Sequence, residues 1–300
     1  MRAHPTTHER LIDRLSSRAI ANRSRGSISR AMTTRRTDGS AAAILATNHL
    51  LPVRTVEELR ADENARDAVI LLNYDVPANA LSLWMSCSYR ICADGGANRV
   101  RDLRTAYDET MQALSYCGED LFKHPHRIVG DMDSVFTSVA AMYRDNPLYG
   151  CAVDDQSADQ DSTDFVKCLR AIMKHRPDIK RVFTLGALGG RLDHILYNMK
   201  TLFDFPMLEI VLIGDHSVAC ALAAGRTVIR RDTQYKTTHC GLVPLQGDAR
   251  VTTKGLKWNL NDEVMSFNAG GLISTSNLFI DDEVVIDTDV PLLWTSSSLS

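Results

Sequence analysis

Short apolar runs alternate with amphipathic segments between about residues 67 and 214. Five of these runs have the length and composition of buried strands, and they lie at residues 68–72, 89–93, 127–129, 181–185 and 209–213. Between them, apolar residues recur at helical spacing around residues 78–85, 134–143, 162–175 and 192–203. Strands that alternate with helices in this way predict right-handed crossovers and a mainly parallel sheet with helices on its faces.

The pattern changes after about residue 215, where short β-rich runs follow one another without helical segments. They lie at residues 218–222, 227–229, 240–244, 249–252, 263–267, 272–274 and 283–286, and glycines separate many of them. Regular short strands with turn residues between them predict an antiparallel sandwich or barrel. We therefore expect an α/β domain at residues 66–214, followed by a C-terminal antiparallel β-sandwich domain at residues 215–300.

The first 65 residues have a different composition. Residues 1–36 contain nine arginines, no lysine and two acidic residues, Glu9 and Asp13, so their net charge is +7. This composition resembles a mitochondrial presequence, but it is also typical of a poorly ordered extension, because it has too few apolar residues to support a core. We favour the extension. A helix within residues 41–64 could precede the fold, which we expect to begin near Asp67.

Charge and cysteine content exclude several classes of protein. The net charge of −3 over 300 residues leaves −10 outside the arginine-rich segment, which argues against a protein that binds duplex nucleic acid through a basic face. No apolar run approaches the roughly 18 residues that a membrane span requires. The seven cysteines are dispersed and form no C-x-x-C pair, which favours a reducing compartment. We expect a cytoplasmic protein, with a mitochondrial location as the alternative if the N-terminus is a presequence.

Two carboxylates follow the third predicted strand, in the sequence Gly-Asp-Met-Asp-Ser at residues 130–134. In an extended or turning backbone, residues i and i+2 project to one side, so Asp131 and Asp133 can converge on one cation. Mg²⁺ is held in proteins by a few carboxylate oxygens together with water and phosphate oxygens. The same sequence is also typical of a solvated turn. Similar polar clusters follow other strands of this half, and ligands bind beyond the carboxyl ends of parallel strands.

Glycine-rich turns follow two more predicted strands, with Ala-Asp-Gly-Gly-Ala-Asn at residues 93–98 and Gly-Gly-Arg-Leu-Asp-His at residues 189–194. Glycine lets the backbone approach a phosphate or nucleotide closely, and N–H groups at a helix start attract anions. Arg191 offers a planar cation to phosphate oxygens, and Asp193 could orient it or bind a metal. The first turn could equally be a tight turn capped by Asp94. His194 is more typical of a structural histidine than of an acid–base catalyst.

An acidic segment, Asp-Gln-Asp-Ser-Thr-Asp at residues 159–164, precedes the third predicted helix. Asp161 or Ser162 would cap that helix. Asp164 and Lys167 are three positions apart, so they share a face near its positive end. Capping and the helix dipole account for part of the acidity, but three aspartates exceed what capping needs. We therefore predict that Asp164 faces a metal.

Two segments of the β-rich half carry side chains suited to a small ligand, Gly-Leu-Lys-Trp-Asn-Leu at residues 255–260 and Ser-Thr-Ser-Asn at residues 274–277. Trp258 could present its face to a flat or cationic ligand, and the second segment supplies small hydrogen-bonding groups. A tryptophan in the core or at an interface, and an ordinary β-turn, are the alternatives. Spacing alone does not exclude them.

Taken together, these segments resemble the thiamin pyrophosphokinase family. The likeness rests on six motifs in the family's order, at residues 93–98, 130–134, 159–169, 189–194, 255–260 and 274–277, and on the closing run at 288–294. The resemblance implies an ATP-dependent enzyme that transfers a diphosphoryl group to the hydroxyl of thiamin, giving thiamin diphosphate and AMP. It also implies Mg²⁺ dependence and a homodimer that binds thiamin in a cleft between the subunits.

The resemblance implies roles for particular residues as well. It places the catalytic centre at Asp94, Asp131, Asp133 and Asp164, and the metal ligands at Asp131, Asp133 and Asp164. It assigns ATP binding to Gly95, Gly96, Asn98, Lys167, Gly189, Gly190, Arg191 and Asp193. It assigns thiamin binding to Gln160, Trp258, Ser274 and Asn277. In this arrangement the metal bridges ATP oxygens, and Asp133 or Asp164 accepts the proton of the alcohol.

Two other functions stay open at this point. A Mg²⁺-dependent nucleotide hydrolase needs only the carboxylate clusters, and it would turn over nucleotide without an acceptor alcohol. A catalytically inactive regulator would bind thiamin or nucleotide and form no product. The product formed from ATP and thiamin distinguishes the three hypotheses.

Overall fold

The computed structural model describes residues 66–77, 80–113, 120–230 and 239–297, together with the backbone of a short strand, β1 (Ala43–Ala46). The predictions for the arginine-rich N-terminus lie outside these residues. Within them, no helix has both the length and the apolar character needed to span a bilayer. The six cysteines in this part of the chain are free thiols, and five of them are buried.

The first half of the fold is a six-stranded parallel sheet. Its strands are β2 (Asp67–Leu71), β3 (Tyr89–Ala93), β4 (Arg127–Gly130), β5 (Ala152–Asp155), β6 (Arg181–Leu185) and β7 (Glu209–Ile213), in the order β7-β6-β2-β3-β4-β5. The five predicted strands are confirmed. The strand β5 was not predicted, because its Ala-Val-Asp-Asp run is half polar; the strand lies at the sheet edge and is only partly buried.

In the part of the chain that the structure describes, five helices cover the two faces of this sheet, α1 (Ala80–Ser86), α2 (Gly96–Ala113), α3 (Thr137–Asp145), α4 (Asp164–His175) and α5 (Leu192–Asp204). Leu83, Leu103 and Tyr143 from the first three helices pack on one face. Leu169 and Leu202 from the last two pack on the other. This two-sided burial explains why the parallel strands are nearly continuous apolar runs.

The remaining strands are antiparallel and form a sandwich. They are β8 (Ser217–Leu222), β9 (Gly225–Arg230), β10 (His239–Val243), β11 (Ala249–Lys254), β12 (Glu263–Met265), β13 (Ser274–Leu278), β14 (Glu283–Thr288) and β15 (Leu292–Ser297). The strands β8, β15, β10 and β13 extend the parallel sheet to ten strands, while β9, β14, β11 and β12 form a second sheet with β1. A third apolar cluster, which includes Ile229, Val251 and Trp294, draws on both sheets.

The predicted fold class is therefore confirmed, with one feature that the sequence did not reveal. The α/β half and the sandwich share a sheet, because β7 pairs with β8 across the predicted boundary, with Val211 opposite Cys220. The helix suggested within residues 41–64 is wrong for Ala43–Ala46. That segment is a strand that runs parallel to β9, with Ile44 opposite Val228, and so it satisfies backbone groups at an otherwise open sheet edge.

The order of the parallel strands reverses at β2. The strands β3, β4 and β5 lie on one side of it, and β6 and β7 lie on the other. In doubly wound sheets, ligands bind outside the carboxyl ends of the strands at such a reversal. The loops after β2 to β6 all lie at this edge, and those after β3, β4, β5 and β6 carry the predicted motifs of this half.

Candidate active site

Three carboxylates converge at the carboxyl edge of the sheet. Asp94 follows β3, Asp131 follows β4, and Asp164 is the first residue of α4. One oxygen from each carboxylate lies within 4.8 Å of the others. The structure thus brings together three of the four aspartates that the sequence assigned to a catalytic centre.

Gly130 makes this convergence possible. A Cβ atom at this position would lie 2.5 Å from Cβ of Asp94 and 3.1 Å from Oδ1 of Asp164. Real Cβ atoms do not come within 2.5 Å of another side-chain carbon. Any side chain at position 130 would therefore push the carboxylates apart. The glycine of the Gly-Asp-Met-Asp-Ser motif therefore has a steric role in the site.

Asp94 anchors the loop that carries the motif. Its carboxylate accepts hydrogen bonds from the backbone N–H groups of Ser134, at 2.8 Å, and Val135, at 3.2 Å. Burial raises the pKa of this carboxyl, and the two hydrogen bonds oppose that shift. Its φ of 40° lies in the left-handed region, which non-glycine residues seldom adopt away from functional sites.

Lys167 is the cation of the group. It is only 1% exposed, and its Nζ lies 3.2 Å from Oδ1 of Asp164. Burial raises the pKa of Asp164, and the neighbouring ammonium acts in the opposite direction. The helix is capped by Thr163, which accepts from the N–H of Val166, and not by Asp161 or Ser162 as predicted. This cap fixes the first turn, in which Asp164 lies.

The charges of this group suit a divalent cation. Ionised Asp94, Asp131 and Asp164 with protonated Lys167 leave two negative charges in a partly buried site. Carboxylate oxygens are the ligands that Mg²⁺ prefers. Burial, and to a smaller extent the neighbouring carboxylates, raise the pKa of Asp94 and Asp164, and a dication would stabilise their ionised forms. The donor set therefore fits the magnesium ion that the sequence led us to expect.

Asp133 lies beside this group and is exposed. Met132 has a φ of 65°, so the chain turns sharply between the two aspartates and does not direct both carboxylates to one point. The Asp133 carboxylate instead accepts from the Ser134 hydroxyl at 2.8 Å. Among the described residues, Asp94 takes the place in the three-carboxylate group that the sequence assigned to Asp133. Metal binding by Asp133 stays a prediction.

The first glycine-rich turn packs tightly against its neighbours. A Cβ at Gly96 would lie 2.1 Å from the carbonyl oxygen of Leu71, and one at Gly95 would lie 2.3 Å from Nδ2 of Asn73. Asn98 fastens the adjacent loop, because its Nδ2 donates to the Ser134 carbonyl and its Oδ1 accepts from the Phe136 N–H. These contacts explain why glycine occupies positions 95 and 96 and asparagine occupies position 98. ATP binding by these three residues stays a prediction.

The second glycine-rich turn packs under an aromatic ring that the sequence analysis missed. A Cβ at Gly189 would lie 2.1 Å from Cε1 of Tyr74, and one at Gly190 would lie 2.7 Å from its Cε2. Tyr74 stands in the loop after β2. The signal that could have identified it is its position just after a strand at the reversal point of the sheet.

Arg191 and Asp193 form an exposed bidentate ion pair, with distances of 3.1 and 2.5 Å. Of the two roles that the sequence left open for Asp193, the structure supports orientation of the arginine. His194 is exposed beside them. Asn198 is buried and donates to the carbonyl of Ala187, so it ties the glycine-rich turn to α5.

The predicted thiamin residues of the sandwich form one unit. Asn277 is buried, accepts from the N–H of Trp258 at 3.1 Å, and donates to the Trp258 carbonyl at 2.8 Å and to the Ser274 hydroxyl at 3.3 Å. The Trp258 ring is 55% exposed, and Nζ of Lys257 lies 4.5 Å from its centroid. The polar residues therefore hold an exposed ring in place. Ser276, which lies between Ser274 and Asn277, has a φ of 57° in the strained left-handed region.

Gln160 belongs to the loop between β5 and α4. It is exposed, and its side chain donates to the carbonyl of Ser157 at 2.8 Å. Asp159 braces the same loop by accepting from the N–H groups of Asp161 and Ser162 and by pairing with Arg170. The structure does not bring Gln160 into contact with the three-carboxylate group, and its role in binding thiamin stays a prediction.

The fold and the site define a class of protein. An acidic group with one buried lysine lies at the carboxyl edge of a parallel sheet, next to glycine-rich turns and an exposed arginine. This arrangement is typical of enzymes that transfer phosphoryl groups with the help of a divalent cation.

Comparisons with known proteins identify the family. The family model described as "Thiamin pyrophosphokinase, catalytic domain" matches residues 80–212, and "Thiamin pyrophosphokinase, vitamin B1 binding domain" matches residues 226–293. Thiamine pyrophosphokinase 1 of Oryza sativa subsp. japonica is 38% identical over 246 residues, which are 79% of this chain and 89% of that protein. Thiamine pyrophosphokinase 1 of Arabidopsis thaliana is 37% identical over 238 residues, 77% and 86% of the two chains. The chain belongs to the thiamin pyrophosphokinase family.

Solved structures agree on the fold. Yeast thiamin pyrophosphokinase superimposes with a TM-score of 0.66 at 22% identity, over 88% of this chain and 94% of that one. Thiamin pyrophosphokinase from Candida albicans gives a TM-score of 0.65 at 19% identity, over 88% and 95% of the two chains. The α/β half joined to a β-sandwich is thus the fold of these proteins.

Proposed function

We propose that the protein transfers a diphosphoryl group from ATP to the hydroxyl of thiamin and forms thiamin diphosphate and AMP. The observation that carries the proposal is the group formed by Asp94, Asp131, Asp164 and Lys167, which lies at the ligand-binding edge of a chain of this family. Both the catalytic and the vitamin B1 binding family models match the chain, and this supports a complete site for both substrates.

Asp94, Asp131 and Asp164 would hold Mg²⁺, with Asp133 as a further candidate ligand. The metal would neutralise negative charge on the phosphates, and this would make the β-phosphorus accessible to attack. The close approach of three carboxylates supports this role, because such a group is stabilised by a bound dication.

The residues of the chain position the reactants. Lys167 and Arg191 neutralise phosphate oxygens, and the glycine-rich turns at residues 95–96 and 189–190 leave room for the backbone to approach the nucleotide. The thiamin oxygen attacks the β-phosphorus, the bond to the α-phosphate oxygen breaks, and AMP leaves. The hydroxyl proton passes to a carboxylate, for which Asp133 and Asp164 are the candidates.

Thiamin binding is proposed for Gln160, Trp258, Ser274 and Asn277. The exposed Trp258 ring, fixed by Asn277, suits stacking on an aromatic ring of the vitamin. We further propose a homodimer in which thiamin binds between the subunits. The exposure of Trp258 in the single chain, at 55%, supports a partner surface there. A cytoplasmic location is proposed from the dispersed free cysteines.

The test is to incubate the purified protein with ATP, Mg²⁺ and thiamin and to quantify the products. Equal amounts of AMP and thiamin diphosphate are expected. ADP with thiamin monophosphate would show that the reaction class is wrong, and nucleotide turnover without thiamin would indicate a hydrolase. Binding of both substrates without product would indicate a regulator.

A matched pair of variants ties the activity to the acidic group. At a fixed Mg²⁺ concentration, Asp131→Asn should form much less product than the wild type, because it removes one charge from the three carboxylates. Asp178→Asn is the control, since this exposed aspartate pairs with Arg176 after α4, at the opposite end of the sheet. Equal activity in the two variants would contradict the assignment.

A further inference from the structure

An exposed arginine of α4 holds the loop that carries Gln160. Nη1 of Arg170 donates to Oδ2 of Asp159 at 3.1 Å and to the Ser162 hydroxyl at 2.6 Å. Gln160 lies between these two contacts in the chain. We propose that Arg170 is a positioning residue for thiamin, which acts by holding Gln160 where it binds the vitamin. The inference rests on the proposed function, because it concerns a substrate of that reaction.

The loop between β5 and α4 is fixed at its start by the backbone of the Gly-Asp-Met-Asp-Ser motif. The N–H of Gln156 donates to the carbonyl of Gly130 at 2.7 Å, and the N–H of Asp159 donates to the carbonyl of Gln156 at 3.0 Å. The Gln160 side chain donates to the Ser157 carbonyl at 2.8 Å, so its amide is oriented by the same loop. The start of the loop is therefore set by the strand that presents Asp131.

Asp159 connects the rest of the loop to α4. Its Oδ1 accepts from the N–H groups of Asp161 and Ser162, both at 3.1 Å, while its Oδ2 faces Arg170. One oxygen thus shapes the turn that contains Gln160, and the other fastens that turn to the helix. Without Arg170, the turn would shift against α4 and open more often.

The place of Arg170 on the helix suits this contact. Side chains on an α-helix lean towards its N-terminus, and Arg170 stands about 9 Å along the axis from Asp164, at 1.5 Å per residue. Its long side chain reaches back over this distance to Ser162. Asp164 is held separately, by its ion pair with Lys167 and by the Thr163 cap. Loss of the Arg170 contacts should therefore affect Gln160 and spare the carboxylates.

The size of the effect follows from preorganisation. A loop that is held before the ligand arrives loses less conformational freedom on binding, and this raises the affinity. An exposed ion pair changes an equilibrium constant by at most about 5-fold. The Arg170 side chain is 57% exposed and that of Asp159 is 34% exposed. We therefore expect the upper end of that range, because Arg170 also donates to Ser162.

The experiment compares the wild type with Arg170→Gln and Arg170→Lys. Thiamin binding is measured by calorimetry, and the KM values for thiamin and ATP by steady-state kinetics. Arg170→Gln should weaken thiamin binding and raise the KM for thiamin by about 5-fold, and leave the KM for ATP within about 2-fold. Both contacts start from one nitrogen, so the ammonium of Arg170→Lys can make both. That variant should stay within about 2-fold of the wild type.

A double-mutant cycle shows whether Arg170 acts through Gln160. Gln160→Ala should raise the KM for thiamin by itself. Adding Arg170→Gln should then cause no further rise, since no amide is left to position. A further rise of about 5-fold in the double variant would overturn the inference, as would an equal rise in both KM values for Arg170→Gln or an unchanged KM for thiamin.

Hydrogen–deuterium exchange reports on the loop without relying on turnover. In the absence of thiamin, the peptide over residues 156–163 should exchange about 5-fold faster in Arg170→Gln than in the wild type, because the turn opens more often. Saturating thiamin should bring the two rates together, because the bound vitamin orders the loop. Equal exchange in the two unliganded proteins would overturn the inference.

The matched control is Arg176→Gln. Arg176 follows the last turn of α4 and pairs with Asp178 at 2.8 Å, so the variant removes the same kind of contact at the other end of the helix. It should leave thiamin binding and exchange of the loop unchanged. If Arg170→Gln does not fold, Asp159→Asn takes its place. It keeps an oxygen for the two N–H groups and removes the charge that faces Arg170, so it should also raise only the KM for thiamin.

The failure of this inference can be told apart from that of the proposed function. If thiamin diphosphate forms but Arg170→Gln leaves thiamin binding unchanged, the reaction stands and the inference is wrong. If the wild type binds thiamin but forms no thiamin diphosphate, the proposed reaction is wrong, and calorimetry of the variants still decides the role of Arg170. A wild type that binds no thiamin would overturn both.

Discussion

Replacement of Gly130 by alanine tests whether the carboxylates must converge for the protein to work. The added Cβ would lie 2.5 Å from Cβ of Asp94 and 3.1 Å from Oδ1 of Asp164. Carbon atoms in ordinary contact are about 3.5–4.0 Å apart, so Asp94 has to move by about 1 Å. Its hydrogen bonds to the N–H groups of Ser134 and Val135 oppose that movement.

The expected effect has a stability part and a catalytic part. Overpacking of this kind costs about 1–3 kcal/mol of unfolding free energy, and each kcal/mol lowers the Tm of a chain of this size by about 2–4 °C. Misplacement of reacting groups by about 1 Å costs on the order of 100-fold in rate. We therefore expect a folded protein whose kcat/KM for thiamin is reduced on the order of 100-fold.

The matched control is Gly150→Ala. Gly150 has a φ of 55° and no atom within 4 Å of an added Cβ, so the substitution strains the backbone by about 1–2 kcal/mol without touching other residues. It precedes β5 at the edge of the sheet opposite the site. The assay is thiamin diphosphate formation, with urea unfolding of both variants to compare their stability.

Both variants should lose a similar amount of stability, and only Gly130→Ala should lose activity. A Gly130→Ala protein with kcat/KM close to that of the wild type would show that the convergence of Asp94 and Asp164 does not matter. Equal loss of activity in both variants would show that the effect comes from stability alone.

Three further predictions concern the metal, thiamin and pH. Asp131→Asn should raise the Mg²⁺ concentration required for half-maximal activity more than Asp133→Asn, because only Asp131 belongs to the three-carboxylate group. Trp258→Ala should raise the KM for thiamin about 5-fold, the equivalent of about 1 kcal/mol of stacking, and leave the KM for ATP unchanged. Burial and the nearby Arg90 guanidinium lower the pKa of His126 from 6.5 to about 4. Between these pH values the unfolded chain binds a proton that the folded chain excludes, so the free energy of unfolding should fall as pH drops from 6.5 towards 4, and less steeply in His126→Gln.

Each of these predictions has a control and a contradicting result. Equal Mg²⁺ requirements in the two aspartate variants would place Asp133 among the ligands. Equal changes in both KM values for Trp258→Ala would favour a structural role for the ring. For the pH effect, His175→Gln is the control, because His175 is exposed at the end of α4. The same pH profile in His126→Gln as in the wild type would contradict the role of His126, whose Nδ1 accepts from the N–H of Arg90.

Much of the fold could be predicted because its buried strands are apolar over their whole length. The predicted strands at 89–93, 181–185 and 209–213 coincide with β3, β6 and β7. The edge strand β5 could not be found in this way, since its residues are at most partly buried at the sheet edge and its sequence is half polar. The helix α2 was predicted only at its start, because its polar sequence shows few apolar positions beyond Val100, Leu103 and Tyr107.

The candidate site was predicted in its motifs but not in its geometry. Asp131 and Asp164 could be assigned from local sequence, whereas the place of Asp94 beside them depends on the adjacency of β3 and β4 and on the space at Gly130. Asp133 is close to Asp131 in sequence, yet the left-handed turn at Met132 directs its carboxylate elsewhere. Tyr74 follows a predicted strand, but no local pattern shows that it packs on Gly189 and Gly190, because these glycines are more than a hundred residues away.

By itself, the sequence determined which segments are strands, which residue types could carry the chemistry, and which family the chain resembles. These properties follow from local periodicity, from turn residues and from the order of motifs along the chain. Only the tertiary structure decided that the two halves share a sheet, that Asp94 joins Asp131 and Asp164, and that Tyr74 packs against the second glycine-rich turn. Those features depend on strand order and on close contacts between distant segments, and packing of the whole chain is what sets both.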